Sequence, residues 1–389
     1  MNSFNIDCLK KNWQNKVSLL PKGITILGKS LNYLLRVAVL FFVSTFIVSM
    51  FLGLVLMFSP EGSQFSFSNI ENLPFGFLTL FIVALPVKTT YGAIFILVWI
   101  IYALCFIISW KTNIGFIKAV RKTFDSKSLL ENKNFLFMFP VISSSLLVLI
   151  ILVQSLQETV GVPTGSIDFD NTYRGLFELA YSPLFEEIMF RISPFAVYYA
   201  ILLIFNQARW QIWSLGIYIK LFFTAVLFPE RMKKRLGLPQ IENVGVRKGI
   251  SNGEWLMTIL TSTMFGLAHY VSGSGWEIGK ITSSFLAGFV FCLAYLAFGF
   301  HAPILLHWFF NYYFYVYEVA TQNYQGIFEN IESIIDFTVQ ILGLSIILFL
   351  LTYLMLKLYR DSISSSDAKS IESDPTTDLS SNDKMENLI

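Results

Sequence analysis

VAVLFFVSTFIVSMFLGLVLMF, residues 37–58, runs for 22 positions without a charge. A helix rising 1.5 Å per residue crosses a ~30 Å hydrocarbon core in about 20 residues, so this stretch is long enough to span a membrane. It is too long for the apolar core of a signal peptide and follows some 30 largely polar positions, which makes it a retained first span. Comparable uncharged runs recur at Tyr91 to Trp110, Asn134 to Gln154 and Phe337 to Leu356.

The composition agrees with that reading. Of 389 residues, 54% are hydrophobic and 14% charged, against roughly 45–50% and ~25% in soluble domains. The expected fold is therefore all-α, a polytopic integral membrane bundle of about eight transmembrane helices. Cys8, Cys105 and Cys292 form no CxxC pair and imply no disulfide framework.

The net charge of +2 says less than where the charges fall. Lys10, Lys11, Lys16, Lys22, Lys29 and Arg36 precede the first span, and Lys111, Lys118, Arg121, Lys122, Lys127 and Lys133 follow the second. By the positive-inside rule both segments are expected in the cytoplasm, as are both termini of a multi-pass cell-membrane protein. Between them, Glu61 and Glu71 outweigh Lys88, so that segment reads as external. Residues 229–249 carry six Lys or Arg against Glu230 and Glu242. With little aromatic interleaving, this loop is a topology signal beside membrane lipid; no nucleic-acid partner is expected.

The chain divides into a cytoplasmic N-terminal segment (1–36), N-terminal transmembrane helices (37–170), a core (171–320) with an inserted segment at about 206–253, a C-terminal transmembrane helix (321–360) and a tail (361–389). The tail is acidic and Ser-rich, and is expected to be disordered because it has too little apolar surface to offset ordering entropy. Within the core, Pro183 and Pro194 are expected to interrupt the helical pattern. Helices are expected at Trp255 to Tyr270, Ser283 to Phe300, Pro303 to Ala320 and Ile335 to Tyr359.

FEEIMFR, residues 185–191, breaks the apolar pattern of the core. An ionisable side chain at bilayer depth is costly unless it is paired or faces a polar cavity, so it points to function. On a helix Glu187 and Arg191 are i and i+4 and share a face, where they can form an ion pair. Glu186 points about 100° away and lacks that partner. This geometry nominates Glu186 as a general base, with Glu187 and Arg191 as its support. The competing reading is a charge network that pins two helices together.

Only three histidines occur: His269, His301 and His307. FGLAH (265–269) and HWFFN (307–311) each place a histidine four residues from a partner on the same helical face. His269 could share a water with Glu186, and Phe265 would pack against its imidazole. His307 and Asn311 could aim two N–H donors at one developing oxyanion. His301, beside a glycine-containing turn and Pro303, reads as a boundary residue.

Other chemistries fit less well. There is no HExxH zinc-protease helix, and GWEIGKIT (275–282) has one residue too few between its glycines for a phosphate loop. Ser182, Ser193 and Cys292 have no nearby histidine in sequence.

EEIMFR, FGLAH and HAPILLHWFFN, in this order, resemble the EExxxR, FxxxH and HxxxN motifs of the CAAX protease and bacteriocin-processing (CPBP, or Abi) family of intramembrane proteases. The resemblance covers roughly Leu176 to Tyr317 and implies an intramembrane endopeptidase of the prenyl-CAAX type. It further implies that Glu186 and His269 activate water, that Glu187 and Arg191 brace the site, and that His307 and Asn311 stabilise the tetrahedral oxyanion. The implied partner is a peptide or protein substrate, prenylated or not. No cofactor is expected for this glutamate mechanism; zinc on Glu186, His269 and His307 is the alternative. In this chain 77 residues separate Arg191 from His269, more than in compact members of the family.

Two non-proteolytic alternatives stand beside this one: a bacteriocin self-immunity or membrane scaffold protein that retains the motifs, and a transporter with a carboxylate proton relay. The latter lacks the paired half-helices of an inverted repeat. One conflict has to be met by the fold. His269 falls near the end of its helix and His307 near the start of the second helix after it, which ideal crossings would leave on opposite sides of the membrane. A short, tilted or re-entrant helix lining a cavity is therefore expected.

Overall fold

The computed structural model describes residues 22–125, 134–205, 214–324 and 326–372. Lys10, Lys11, Lys16, Cys8, Lys127, Lys133, residues 206–213 of the insertion and residues 373–389 of the tail lie outside these residues.

In chain order the elements are α1 (Lys22–Met57), α2 (Pro60–Ser66), β1 (Asn69–Phe77), β2 (Phe81–Thr90), α3 (Tyr91–Lys111), α4 (Phe116–Asp125), α5 (Phe135–Thr159) and α6 (Thr172–Glu187). A widened, π-helical turn (Ile188–Ile192) joins α6 to α7 (Ser193–Phe205). There follow α8 (Leu215–Leu227), α9 (Pro229–Arg235), α10 (Ile241–Gly249), α11 (Asn252–Val271), α12 (Lys280–Phe298) and α13 (His301–Trp308). A second widened turn (Phe309–Tyr313) leads to α14 (Phe314–Asn323), and α15 (Ile327–Glu372) comes last.

Among the described residues six helices are long and apolar enough to cross a membrane: Arg36–Met57, Tyr91–Lys111, Phe135–Thr159, Thr172–Phe205, Lys280–Phe298 and Phe328–Leu356. The protein is a multi-pass helical membrane bundle. Two helices included in the expected eight, α11 and the α13–α14 segment, are not among the six. Glu254 and His269 lower the apolarity of α11, and a widened turn divides α13 from α14.

Buried polar side chains close the helix ends. Asn134 accepts from Phe137 N at the start of α5, while its Nδ2 donates to Ser109 O and Thr112 O at the end of α3. One side chain thus satisfies orphan groups on two helices, which matters most where no water is at hand. The α11 start has a capping box, in which Ser251 Oγ accepts from Glu254 N and Glu254 Oε2 accepts from Ser251 N. Glu254 also ties in the insertion, taking Lys233 Nζ at 2.9 Å and Tyr199 OH at 2.8 Å.

An aromatic stack forms the centre of the bundle. Trp308 lies between Tyr102, at a centroid distance of 4.4 Å, and Tyr312, at 4.3 Å. Tyr102 OH donates to Ala180 O of α6, and Tyr317 OH donates to Thr45 O of α1. Offset-stacked rings gain roughly 0.5–1.5 kcal/mol each beyond their buried area. α13 is thereby stacked on α3, while α3 is bonded to α6 and α14 to α1.

Several expectations are corrected. In the segment between α2 and α3, for which no strands were expected, β1 and β2 form an antiparallel hairpin with Phe75 opposite Val83 and Phe77 opposite Phe81. α1 begins at Lys22, so part of the expected N-terminal segment is helical. Pro183 does not end its helix, and the interruption expected near Pro194 is a widened turn rather than a break. Helix α15 continues to Glu372 where a disordered tail was expected from residue 361, because no glycine or proline stands between Gly343 and Pro375 to stop it.

The chain forms two compact units, Met1–Gly343 and Leu344–Ile389. The second is helical as far as Glu372, with Leu348, Phe349, Leu350 and Leu351 all exposed, as an apolar helix facing lipid would be.

Candidate active site

Asn171 caps α6 by accepting from Tyr173 N and Arg174 N. The helix ends in Glu186 and Glu187, and the widened turn follows. There, Ser193 N–H reaches back five residues to Ile188 O. An ordinary helix would send it to Met189 O. That carbonyl is left without its ladder donor and is met from outside, by Thr79 N–H of the β1–β2 hairpin at 3.1 Å and by Ser193 Oγ at 3.4 Å. Ser193 Oγ in turn accepts from Leu78 N–H at 2.8 Å. The hairpin tip, with Leu78 and Thr79 at φ 52° and 64°, is the cap of the widened turn.

Glu187 and Arg191 form the expected i, i+4 ion pair, Oε1 to Nη1 at 3.0 Å, with both side chains at 0% exposure. The same Oε1 accepts from His307 Nδ1 at 2.8 Å. Arg191 lies over the Phe265 ring at 4.1 Å and the Phe291 ring at 5.4 Å, a cation–π seat for the rest of its guanidinium. Gly288 makes room for it: a Cβ there would stand 2.8 Å from Arg191 Nη2.

Glu186 turns to the other side. Its Oε2 is 3.6 Å from His307 Nε2 and 4.0 Å from His269 Nε2. His269 Nδ1 bonds Phe265 O at 2.8 Å within its own helix. Both imidazoles thus commit Nδ1 to an acceptor and present Nε2 to Glu186. These gaps are longer than a hydrogen bond and leave the three atoms facing one point.

The expected conflict between the histidines is resolved by α13, a short helix that packs back against α12. The chain turns sharply at Gly299 (φ 102°), and His307 lies level with Phe291 of α12, their rings 5.1 Å apart. Phe265 touches both histidines, His269 at 4.6 Å and His307 at 5.6 Å. Phe265 therefore packs against His269 as expected and in addition holds Arg191 and His307.

Asn311 stands on the second widened turn and donates from Nδ2 to Ser182 Oγ at 3.1 Å. His307 and Asn311 thus first serve Glu187 and Ser182, instead of aiming all their donors at one point. His301 is fully buried at the start of α13 and pairs with Ser109 Oγ through Nδ1 at 2.6 Å. It anchors the helix that carries His307.

Phe291, Gly288 and the hairpin tip had no signal in motif spacing, since each meets the site only through tertiary packing. Among the described residues no group of three His, Cys, Asp or Glu side chains is set to hold a metal ion. A cavity of about 240 Å³ lies elsewhere, lined by Tyr198, Tyr199, Lys233 and Glu254. Its buried Lys233 is already held by Glu254 and by Gly249 O.

Residues 169–313 match the model of one protein family, Type II CAAX prenyl endopeptidase Rce1-like. This stretch is similar to a CAAX-protease domain. It contains all six candidate residues, Glu186, Glu187, Arg191, His269, His307 and Asn311, while α1 to α5 and the hairpin lie outside the match. No curated protein and no solved structure matches the chain.

Proposed function

We propose that the protein is an intramembrane endopeptidase of the CAAX type, in which Glu186 is the general base. The observation that carries this reading is the convergence of Glu186 Oε2 with the Nε2 atoms of His269 and His307, in a cluster flanked by a fully buried ion pair. A water held there gives a proton to Glu186 and attacks the peptide carbonyl, while His269 Nε2 accepts its other proton as a hydrogen bond. Glu186 then passes the proton to the leaving amine.

Charge developing on the carbonyl oxygen needs donors. One Asn311 Nδ2 proton is bound to Ser182, which leaves the second for the oxyanion. Protonated on both nitrogens, His307 keeps Nδ1–H on Glu187 and offers Nε2–H to the same oxygen. Removing one such donor lowers kcat by roughly 10²–10³ in hydrolases of known geometry. The substrate is a peptide or protein, prenylated or not, reached within the membrane, with the 229–249 loop on the cytoplasmic side.

The test is cleavage of a quenched peptide library, with and without a C-terminal prenylcysteine, by the purified wild type and by Glu186→Ala, each with and without chelator. Cleavage that is lost in the variant and kept in chelator supports the glutamate mechanism. Cleavage lost in chelator moves the reading to zinc. A folded wild type that cleaves nothing moves it to a scaffold, in which the buried Glu187–Arg191–His307 network serves to join α6 to α13.

A further inference from the structure

The β1–β2 hairpin lies along α6 and reaches membrane depth. Tyr181 OH donates to Pro74 O, Gly76 seats against Phe185 and Met189, Thr79 N–H donates to Met189 O, and Leu78 N–H donates to Ser193 Oγ. All of these partners belong to the apolar stretch Thr172–Phe205. At 1.5 Å per residue Met189 is about 25 Å along that stretch from Thr172, so the hairpin runs down much of the crossing.

Only one edge of this two-stranded sheet is closed. Pro74 has no N–H, and its C=O meets Tyr181, so the outer edge of β1 lies on α6. In an antiparallel ladder the residue opposite turns its backbone outward as well, and so do those two positions away: Ala84, with Ile82 and Pro86, on β2. Among the described residues nothing bonds the outward N–H and C=O of Ile82 or Ala84. Phe81 to Pro86 are all exposed, and no charge stands between Glu71 and Lys88 to blunt the edge. Hydrocarbon offers the polar groups of an open sheet edge no partner. Pro86, without an N–H, closes this edge at the end far from the tip.

A protease working in lipid has the converse need. A carbonyl in a helical substrate is tied into its ladder, and a segment unwound for cleavage bares backbone groups that lipid does not satisfy. The open edge of β2 supplies the donors and acceptors that segment lacks, and it does so beside the site: the hairpin tip is bonded to Met189, three residues after Glu186. We infer that the outer edge of β2, from Phe81 to Leu85, takes the membrane-embedded substrate as an added β-strand and holds it extended for hydrolysis. This rests on the hydrolase reading of the site and adds how the substrate is held. Main-chain pairing selects an extended segment over a helical one and tolerates many side chains.

The experiment uses the full chain in nanodiscs and apolar quenched peptides, each made plain or with N-methyl groups on alternate residues away from the scissile bond. Alternate N–H groups of a strand face opposite edges, so one of the two methylated sets should be cleaved about tenfold less efficiently, through KM, and the other set as well as the plain peptide. Ala84→Pro removes an N–H that β1 does not use, so the hairpin stays. It should lower cleavage of the plain peptide about tenfold and abolish the difference between the methylated sets. Equal cleavage of all three peptides by wild type overturns the inference, as does Ala84→Pro cleaving at the wild-type rate.

Crosslinking separates this claim from the hydrolase reading. In Glu186→Gln protein with Cys8→Ser, Ala84→Cys should form a disulfide with a cysteine-bearing peptide, and Leu256→Cys, exposed on α11, should not. That result, in a protein whose Glu186 form cleaves nothing, sinks the hydrolase reading and keeps the strand. Ala84→Cys that joins only a second copy of itself, or reacts no better than Leu256→Cys, sinks the strand whatever is cleaved.

Discussion

Glu187 Oε1 holds two donors at once, Arg191 Nη1 and His307 Nδ1, and so joins α6 to α13 at a single atom. Arg191→Leu would leave that carboxylate buried without its ion-pair partner and should destabilise the fold by roughly 3–5 kcal/mol, read by denaturant unfolding in detergent. Glu186 carries no such burden. Glu186→Gln should remove cleavage by about 10²–10⁴ while the unfolding midpoint stays put; a loss of both together would make it a structural residue. Ser182→Ala frees the Asn311 amide to turn, so kcat should fall while KM holds, because only the transition state uses that donor. The i, i+4 relations at Glu187 and Arg191, and at Phe265 and His269, were legible in the sequence because a helix fixes them. The bond from His307 to Glu187 was not, since it joins residues 120 positions apart and spacing carries no information at that range.

At the level of elements, two of the three motifs run on into widened turns, Ile188–Ile192 carrying Arg191 and Phe309–Tyr313 carrying Asn311. Such turns re-aim side chains and are common where a helix does chemistry. No residue pattern announces them; Pro194 was readable as a disturbance, but not as a change of ladder. The hairpin was also missed, although its β-branched and aromatic residues between Phe75 and Val87 fit strand propensity; Pro74 and Pro86 weaken that pattern. Gly76 lets it seat: a Cβ there would lie 2.5 Å from Met189 Sδ and 2.9 Å from Phe185. Gly76→Val should therefore lift the hairpin from the widened turn and reduce cleavage several-fold, with the helical circular dichroism unchanged. Full activity in that variant would separate the hairpin from the site.

Over the whole molecule, the membrane class and the helical bundle followed from long uncharged runs, which have only one stable solution in lipid. The count of eight spans is not confirmed, because α11 carries Glu254 and His269 and a widened turn divides α13 from α14. The charge distribution further predicts which end faces which compartment. In a Cys8→Ser background, Lys248→Cys should react with an impermeant maleimide only from the cytoplasmic side and Glu277→Cys only from the opposite side, both positions being exposed. The reverse pattern would invert the topology. Cys105 and Cys292 are buried and should stay unlabelled until the protein unfolds.

The bond from Thr79 to Met189 bears on modularity. The carbonyl that the widened turn sets free is capped by a strand from outside residues 169–313. Tyr102, which stacks on Trp308 and bonds Ala180, also comes from outside them. The stretch recognisable by resemblance is therefore smaller than the piece that folds. Excised alone, it would present a bare carbonyl and an unfilled aromatic slot to lipid, and should fail to accumulate in a membrane that accepts the full chain.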